Sequence, residues 1–385
     1  MRIKTLSYTN SSTGWTLKSL TLDKLSLLVG ASGVGKTRIL KSILDLKKIS
    51  KGASLNGVMW FVEFSTTSGN DYRWQGEFEN KGFSAGNIFD REYDDEDEKE
   101  KPKINNEELF INNELIIKRD NKGIVFNGAK TVKLSQNESV ISLLKEEDQI
   151  KDIYNDFNRI IFDNNAGNMS SLRHFAFDDE IDEKLEKYKS IDSIRSCNED
   201  IKLKLYFAYK NQQKSFNEIT QSFIDVFPYV EEVKVEPLAR NEKGIPIFLR
   251  QMPFIQIKEK GIENWIDETK ISSGMLRTLM HISELYLCAD SSLILIDEFE
   301  NSLGINCIDE LTSSIVSADR DLQFIITSHH PYIINNIDYS HWKLVARKAG
   351  AVIAHDVSEF NFDKSKHKAF TQLINLDIYS EGVDA

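Results

Sequence analysis

The chain has 385 residues, 41% hydrophobic and 28% charged, and its 48 basic residues against 60 acidic ones give a net charge of −12. This balance of hydrophobic and charged residues excludes a chain that is disordered throughout. The net negative charge repels nucleic acid, so nucleic-acid binding would need a local basic patch. No apolar stretch reaches the roughly 18 residues of a membrane span, and no signal peptide begins the chain, so we expect a cytoplasmic protein without a membrane partner.

The sequence of the N-terminal part predicts a strand, a glycine-rich loop, a helix and then hairpins. Residues 25–29 are an apolar run that stops at Gly30, and apolar residues recur at helical spacing from Ile39. Between residues 59 and 126, short alternating stretches separated by turn residues predict antiparallel hairpins. An acidic run at residues 94–100 is interpreted as a solvated loop, with a docking site for a basic partner as the alternative.

The remaining chain predicts a helical arm and then alternating helices and strands. Residues 139–227 are rich in Lys, Glu, Leu and Ile and contain no proline, which favours helices. Further on we expect strands at 233–235, 245–249, 254–258, 293–296 and 322–326, and helices at about 274–288 and 305–316. Helices that alternate with strands predict a parallel sheet. The predicted segments are an N-terminal lobe (1–140), the arm (141–230) and a C-terminal lobe (231–385).

Residues 30–37, Gly-Ala-Ser-Gly-Val-Gly-Lys-Thr, fit the phosphate-loop pattern GxxxxGK[ST] between a predicted strand and helix. Glycines allow backbone N–H groups to fold around a di- or triphosphate at a helix N-terminus. Lys36 would neutralise the β and γ phosphates, and the Thr37 hydroxyl would join a Mg²⁺ shell. The residues predicted to bind nucleotide here are Gly30, Ser32, Gly33, Gly35, Lys36, Thr37 and Arg38.

Two adjacent carboxylates follow the apolar strand at 293–296. We expect Asp297 to hold Mg²⁺, directly or through water, and Glu298 to orient and deprotonate the attacking water. The strand at 322–326 leads into Thr-Ser-His-His, where a histidine could hydrogen-bond the γ-phosphate. His329 is preferred over His330 for this role.

Ser272, Ser273 and Gly274 precede an apolar-faced helix. Small hydroxyl residues and a glycine at a helix start are typical of a helix cap, and the same geometry binds anions. The residues alone leave both interpretations open.

The motif order resembles that of ABC-type ATPases: a phosphate loop, a long insertion, ISSGM (271–275), ILIDE (294–298) and TSHH (327–330). The sequence is similar to the branch that contains SMC, RecF and OLD proteins. The resemblance implies an α/β P-loop NTPase fold, an ABC-type ATPase head with an antiparallel β lobe and a helical insertion. It further implies ATP and Mg²⁺ as cofactors and a head-to-head homodimer, or a higher assembly of such dimers.

In that family the signature motif, commonly LSGGQ, contacts the γ-phosphate bound by the opposite subunit. Ser272, Ser273 and Gly274 match it, whereas Ile271 and Met275 depart from it. The resemblance also implies that residues 300–304 face the partner subunit. Gln75 and Gln136 both remain candidates for the family's Mg²⁺-sensing glutamine.

The hairpin pattern at residues 61–79, with the SSGM signature, resembles the small AAA-type ATPases of bacterial antiphage systems such as Septu and PARIS. That resemblance implies hydrolysis of ATP to ADP and phosphate in a sensor or regulatory subunit that controls a separate effector, a nuclease or toxin. About 55 residues follow His330, too few for an appended nuclease domain, so we expect destructive chemistry on another polypeptide. The alternative is an SMC- or RecF-like ATPase of DNA repair or chromosome maintenance, with DNA as a direct partner.

Overall fold

The computed structural model describes residues 1–82, 101–163, 181–237, 252–301, 307, 312–313, 315, 320–360, 362–363 and 365–384. The chain divides into two compact units: unit 1 comprises residues 1–163, 291–298 and 321–385, and unit 2 comprises residues 164–290 and 299–320. The predicted three-segment division stays a prediction. The acidic run at 94–100, the strand predicted at 245–249 and most of the helix predicted at 305–316 lie outside the described residues.

In the described residues, unit 1 is built on one 14-stranded sheet. Its strands are β1 (Arg2–Asn10), β2 (Trp15–Thr21), β3 (Leu25–Val29), β4 (Val58–Ser65), β5 (Asp71–Phe78), β6 (Ile104–Ile111), β7 (Glu114–Asp120), β8 (Gly123–Phe126), β9 (Ala129–Lys130), β10 (Ile160–Asp163), β14 (Leu293–Ile296), β15 (Gln323–Thr327), β16 (Trp342–Lys348) and β17 (Ala351–Asp356). Their order across the sheet is β10-β14-β15-β3-β16-β17-β2-β1-β4-β5-β6-β7-β8-β9.

The sheet has a parallel end and an antiparallel end. Strands β10, β14, β15, β3 and β16 are parallel neighbours. Each residue of β3, β14 and β15 is buried, as in a sheet covered on both faces. In the run β1-β4-β5-β6-β7-β8-β9 neighbouring strands pair antiparallel, and in β4 and β5 buried residues alternate with more exposed ones, which confirms the predicted hairpins. The hairpins therefore extend the same sheet as the parallel strands.

The helices of unit 1 are α1 (Lys36–Ser50), α2 (Val140–Leu143), α3 (Asp148–Asn158), α9 (Pro331–Asn336), α10 (Lys366–Ile374) and α11 (Asp377–Ser380). Phe157 of α3 packs edge-on against Phe64 and Trp74, with ring centroids 5.4 Å apart in both pairs. Lys47 of α1 donates to the Ile160 carbonyl at 2.6 Å, and burial lowers the pKa of its ammonium to about 8. These contacts join both α1 and α3 to the sheet.

A buried polar network lies within the antiparallel end. Glu107 of β6 is fully buried, and its carboxylate accepts hydrogen bonds from the Trp74 indole (2.9 Å), the Ser139 hydroxyl (2.7 Å) and the Val140 backbone (3.0 Å). The Arg119 guanidinium lies 3.5 Å away. Burial raises the pKa of Glu107, and Arg119 opposes that shift. The carboxylate is thus enclosed by donors, as a buried charge requires.

The described residues of unit 2 form helices and a three-stranded antiparallel sheet in the order β11-β12-β13. The elements described in this unit are α4 (Ile181–Lys187), α5 (Ile191–Ser196), α6 (Ile201–Asn211), α7 (Gln213–Val226), β11 (Val230–Pro237), β12 (Pro253–Glu259), β13 (Ile266–Asp267) and α8 (Ser273–Leu287). The predicted strands near 234 and 256 and the predicted helix near 280 are thereby confirmed. None of the helices in the described part of the chain combines the length and the apolar character needed to cross a bilayer.

Candidate functional site

The phosphate loop has the predicted setting, between β3 and α1. Gly30, Gly33 and Gly35 all have positive φ angles, 142°, 78° and 117°. A Cβ at Gly30 would lie 2.3 Å from the Val345 carbonyl oxygen of the neighbouring β16. Only glycine combines this backbone conformation with so close an approach, so the loop's path depends on the residue type as well as on the fold.

The Lys36 side chain folds back into the phosphate loop and bonds to its backbone. Its side chain is 5% exposed, and its Nζ atom donates to the carbonyl oxygens of Gly30 and Ala31, both at 2.8 Å. The ammonium therefore lies inside the loop at the N-terminus of α1, where the helix dipole also favours an anion. Ser32, Gly33 and Arg38 are exposed around it.

Thr37 and Asp297, predicted to share a cation, lie together. The Thr37 hydroxyl donates to Asp297 Oδ1 at 3.1 Å, although 260 residues separate the two in sequence. The cause is the strand order, because β14, β15 and β3 are adjacent and parallel and their carboxyl ends meet at one edge. Ligands of open α/β sheets bind at such an edge.

Thr327, the last residue of β15, contacts the Asp297 carboxylate and the Glu298 backbone. Its buried hydroxyl donates to Asp297 Oδ1 at 2.7 Å and accepts from the Glu298 backbone N–H at 2.8 Å. Thr327 lies within the predicted Thr-Ser-His-His motif, but no role was predicted for it. The signal that could have found it is a hydroxyl residue ending the strand predicted beside the Asp-Glu pair.

Glu298 combines a fixed backbone with an exposed side chain. Its φ of 47° lies in the left-handed region, which a residue with a Cβ rarely adopts, and the bond from its N–H to Thr327 stabilises this turn. Backbone strain of this kind is found in turns and clusters at functional sites. The carboxylate is thus available to a ligand at the edge where Thr37 and Asp297 meet.

The two histidines after β15 differ in their surroundings. His330 is half-buried, and its Nδ1 atom accepts from the Tyr332 backbone N–H at 3.2 Å, which caps α9. His329 is exposed at the same strand end. A capping role for His330 leaves His329 as the histidine for the predicted ligand contact, which stays a prediction.

In unit 2, the predicted signature residues begin α8. Ser272 is the N-cap, and its hydroxyl accepts from the Met275 backbone N–H at 3.3 Å. Ser272 and Ser273 are exposed, and Gly274 is half-buried. The capping interpretation therefore applies, and the exposed helix start keeps the anion-binding interpretation open. Of the loop predicted to face a partner subunit, only Glu300 and Asn301 are described.

Three cations from different elements bind the carbonyl groups at the other end of α8. Arg195 Nε donates to the Tyr286 carbonyl at 2.9 Å, and Arg320 donates to the carbonyls of Leu285 (2.8 Å) and Cys288 (2.6 Å). Lys204 Nζ lies 3.5 Å from the Leu287 carbonyl, and burial lowers its pKa. Cations at a helix C-terminus compensate its unsatisfied carbonyls and its dipole.

The residues present fit a nucleotide with Mg²⁺. Glycines with positive φ shape the loop, and the oxygens of Thr37 and Asp297 lie close enough to share a hard cation, which Mg²⁺ meets with few protein oxygens plus phosphates and water. In the described residues no group of three or more His, Cys, Asp or Glu is arranged to hold a metal alone. Thr37 and Asp297 would therefore hold the cation, whose role is to neutralise phosphate charge.

The fold has solved counterparts. A Smc head bound to the C-winged helix domain of ScpA matches with a TM-score of 0.53 and 13% identity, over 93% of this chain and 99% of that chain. The SMC head domain from Thermotoga maritima matches at 0.42, with the same identity and coverage. The Pyrococcus furiosus Smc head with an extended coiled coil, bound to the C-terminal domain of ScpA, matches at 0.45 and 13% identity, over 93% and 97% of the two chains. The first match shows the SMC-head type of P-loop fold. No curated protein matches the sequence significantly.

A sequence family matches residues 25–335, which span the phosphate loop, Asp297, Glu298 and both histidines. On that match the chain belongs to the AAA ATPase family described as "AAA domain, putative AbiEii toxin, Type IV TA system".

Proposed function

We propose that this protein binds and hydrolyses ATP with Mg²⁺, and that two copies pair head to head around two nucleotides. The observation that carries the proposal is the meeting of Thr37, Asp297 and Glu298 at one sheet edge beside the phosphate loop. Lys36 and the loop N–H groups bind the phosphates, Glu298 accepts a proton from the attacking water, and His329 contacts the γ-phosphate. Ser272, Ser273 and Gly274 of one copy complete the pocket of the other.

In this proposal the ATPase is the sensor or regulatory subunit of a cytoplasmic antiphage system and controls a separate nuclease or toxin. The family description, which names a toxin and a Type IV TA system, supports a conflict system of several components. The Smc head in the first structural match carries a bound protein domain, which supports a protein partner for this type of head. Hydrolysis then serves as a timer that separates or reshapes the paired heads.

The ATPase proposal is tested by Mg²⁺-dependent phosphate release and by mass in solution. Lys36→Ala should abolish nucleotide binding, because it removes the ammonium group that lies inside the phosphate loop and donates to the Gly30 and Ala31 carbonyl oxygens. Glu298→Gln should bind ATP, fail to hydrolyse it and accumulate as a dimer by light scattering. If the Glu298→Gln protein hydrolysed ATP at the parent rate, Glu298 would not be the group that accepts a proton from the attacking water.

The role in defence is tested in the native host. Tagged protein is purified from cells, with the Lys36→Ala protein as the matched control, and the proteins that copurify are identified. A nuclease or toxin that copurifies and needs an intact phosphate loop to protect cells from phage supports the proposal. Duplex DNA binding that falls steeply with log[salt], without an effector, would favour the DNA-repair alternative, since the slope counts the phosphates contacted.

A further inference from the structure

Residues 381–384, which we call the strap, pair with β16 just beyond the point where β3 leaves it. The pairing of β3 with β16 ends at Leu344, and β17 occupies the opposite edge of β16. The Arg347 N–H donates to the Gly382 carbonyl, and the Asp384 N–H donates to the Arg347 carbonyl, both at 2.8 Å. The strap therefore takes over the edge of β16 at the point where the chain turns away from β3 into the phosphate loop.

Gly382 of the strap lies directly against two residues of the phosphate loop. A Cβ added to Gly382 would lie 2.5 Å from Val34 Cγ1 and 3.0 Å from Ala31 Cβ, too close for a side chain unless the neighbours move. Its φ of 71° also lies in the left-handed region that favours glycine. Gly382 and Val34 are both buried, so water is excluded from this contact.

The two loop residues in contact with the strap also determine where the phosphate-binding groups lie. The Ala31 carbonyl accepts a hydrogen bond from Lys36 Nζ at 2.8 Å. Val34 stands between two glycines whose positive φ angles shape the loop. A displacement of either residue would therefore move the ammonium group or the backbone N–H groups that face an anion.

The side-chain contacts that hold the strap on β16 are weak. Asp384 Oδ2 lies 3.4 Å from both Lys348 Nζ and His355 Nε2, beyond the usual hydrogen-bond distance of about 2.7–3.2 Å. Val383 of the strap is 56% exposed. A segment with few buried apolar contacts opens at a lower free energy than the core of a sheet. The strap can therefore leave the loop while the sheet stays folded.

We propose that the strap positions the phosphate loop for a nucleoside triphosphate, and that bound nucleotide in turn holds the strap on β16. This inference rests on the proposed ATP binding and adds a regulatory element to that site. Coupling between two sites is reciprocal, so the factor by which strap docking raises nucleotide affinity is also the factor by which nucleotide favours strap docking. Gly382 is a positioning residue, and the strap reports nucleotide occupancy at the surface of unit 1.

Gly382→Ala tests the contact, with the affinity for Mg²⁺ and a non-hydrolysable ATP analogue measured by calorimetric titration. The added Cβ displaces Val34 or undocks the strap, so fewer molecules have a loop that is competent to bind. We expect affinity to fall about tenfold, as for a loop that is competent in about one molecule in ten. Gly350→Ala is the matched control: Gly350 also has a left-handed φ, 84°, but no atom of the described residues lies within 4 Å of its added Cβ.

Thermal melts of the two variants separate a loss of stability from a loss of loop positioning. Alanine at a left-handed φ destabilises both variants, so a lower melting temperature is expected in each. An affinity loss confined to Gly382→Ala supports the inference. Wild-type affinity in Gly382→Ala, or an equal loss in both variants, would overturn it. Wild-type protein that binds no ATP would overturn the proposed function itself and the inference with it.

Hydrogen–deuterium exchange of the wild-type protein tests the reverse effect and does not depend on any variant that folds. At saturating analogue, exchange of the strap amides should slow about tenfold, because the coupling is reciprocal. The reference is Thr131 at the antiparallel end, whose N–H bonds to the Ile124 carbonyl at 3.0 Å and whose exchange should not change. Strap exchange that is the same with and without nucleotide would contradict the inference.

Discussion

The two ends of the large sheet use carboxylates in opposite ways. At the parallel end, Glu298 is exposed on a left-handed backbone turn that Thr327 holds. At the antiparallel end, Glu107 is fully buried, and three hydrogen bonds and Arg119 surround its carboxylate. A carboxylate whose acceptor capacity is already used by the protein stabilises the fold, whereas one fixed by its backbone and open to solvent can react.

The largest effect on activity is expected at Glu298, the exposed carboxylate at the parallel end of the sheet. Glu298→Gln should lower the ATP hydrolysis rate about 10²- to 10⁴-fold, since the amide cannot accept the proton of the attacking water. Stability should stay unchanged, because the backbone N–H bond to Thr327 remains. Steady-state phosphate release and thermal melts measure the two effects. Glu114→Gln, an exposed carboxylate at the antiparallel end, is the control and should change neither.

Glu107→Ala should show the reverse pattern. It leaves the Arg119 charge buried and removes the acceptor of Trp74 and Ser139, so we expect a loss of about 3–5 kcal/mol in the free energy of unfolding. Urea denaturation measures it, with Glu108→Ala as the control, because the neighbouring Glu108 is part of a more exposed pair with Lys118. If Glu107→Ala left stability unchanged and abolished ATP binding, the division between the two ends would be wrong.

Thr327→Val tests whether the hydroxyl at the parallel end serves the ligand or the fold. The change preserves shape and removes both the donor to Asp297 and the acceptor of the Glu298 N–H, and loss of such a supporting bond typically costs 10- to 100-fold in metal affinity. The Mg²⁺ concentration for half-maximal ATPase activity should therefore rise by about that factor. In the control, Thr21→Val, the lost hydroxyl bonds to Asp356 and the Mg²⁺ dependence should not move. A Mg²⁺ dependence unchanged in Thr327→Val would show that Asp297 needs no support.

Lys343 forms an intermediate case, a buried cation that contacts the half-exposed Asp356 and, at 2.9 Å, the exposed Asp23. Burial opposes the charge of both Lys343 and Asp356, but their hydrogen bonds outweigh it, so the pKa of Lys343 is raised and that of Asp356 is lowered. The stabilisation by Asp356 is fully present above the ordinary pKa of an aspartate and is lost as the pH falls through the lowered pKa of Asp356 in the folded protein. The stabilisation by Lys343 is lost only as the pH rises through the raised pKa of Lys343 in the folded protein.

Urea midpoints from pH 7 down to pH 3 measure this pair. We expect Lys343→Met to be about 1 kcal/mol less stable than the parent at pH 7, a small value because Asp356 is partly exposed. The difference should shrink as the pH falls below the ordinary value for Asp356. A difference that stays constant to pH 3 would assign the effect to packing of the lysine stem.

Much of the site could be predicted from the sequence because its signals are local. The loop glycines, Lys36 and Thr37 are contiguous, and the apolar run before Asp297 marks its strand, so strand, loop and helix are confirmed. The strand β10 was not predicted: its four residues lie in a segment with helical composition, and pairing with β14 decides its conformation. The role of Thr327 depends likewise on which strands become neighbours, which composition and periodicity do not reveal.

The 260 residues between Thr37 and Asp297 also affect synthesis of the chain. At about 5–20 residues per second, the ribosome needs roughly 10 to 50 s after making Thr37 before Asp297 is added. Throughout that interval β3 lacks both of its parallel neighbours, β15 and β16, which come still later. Translation of this protein therefore passes through a long stage in which both edges of β3 are unpaired, and unpaired strand edges make a nascent chain prone to aggregate.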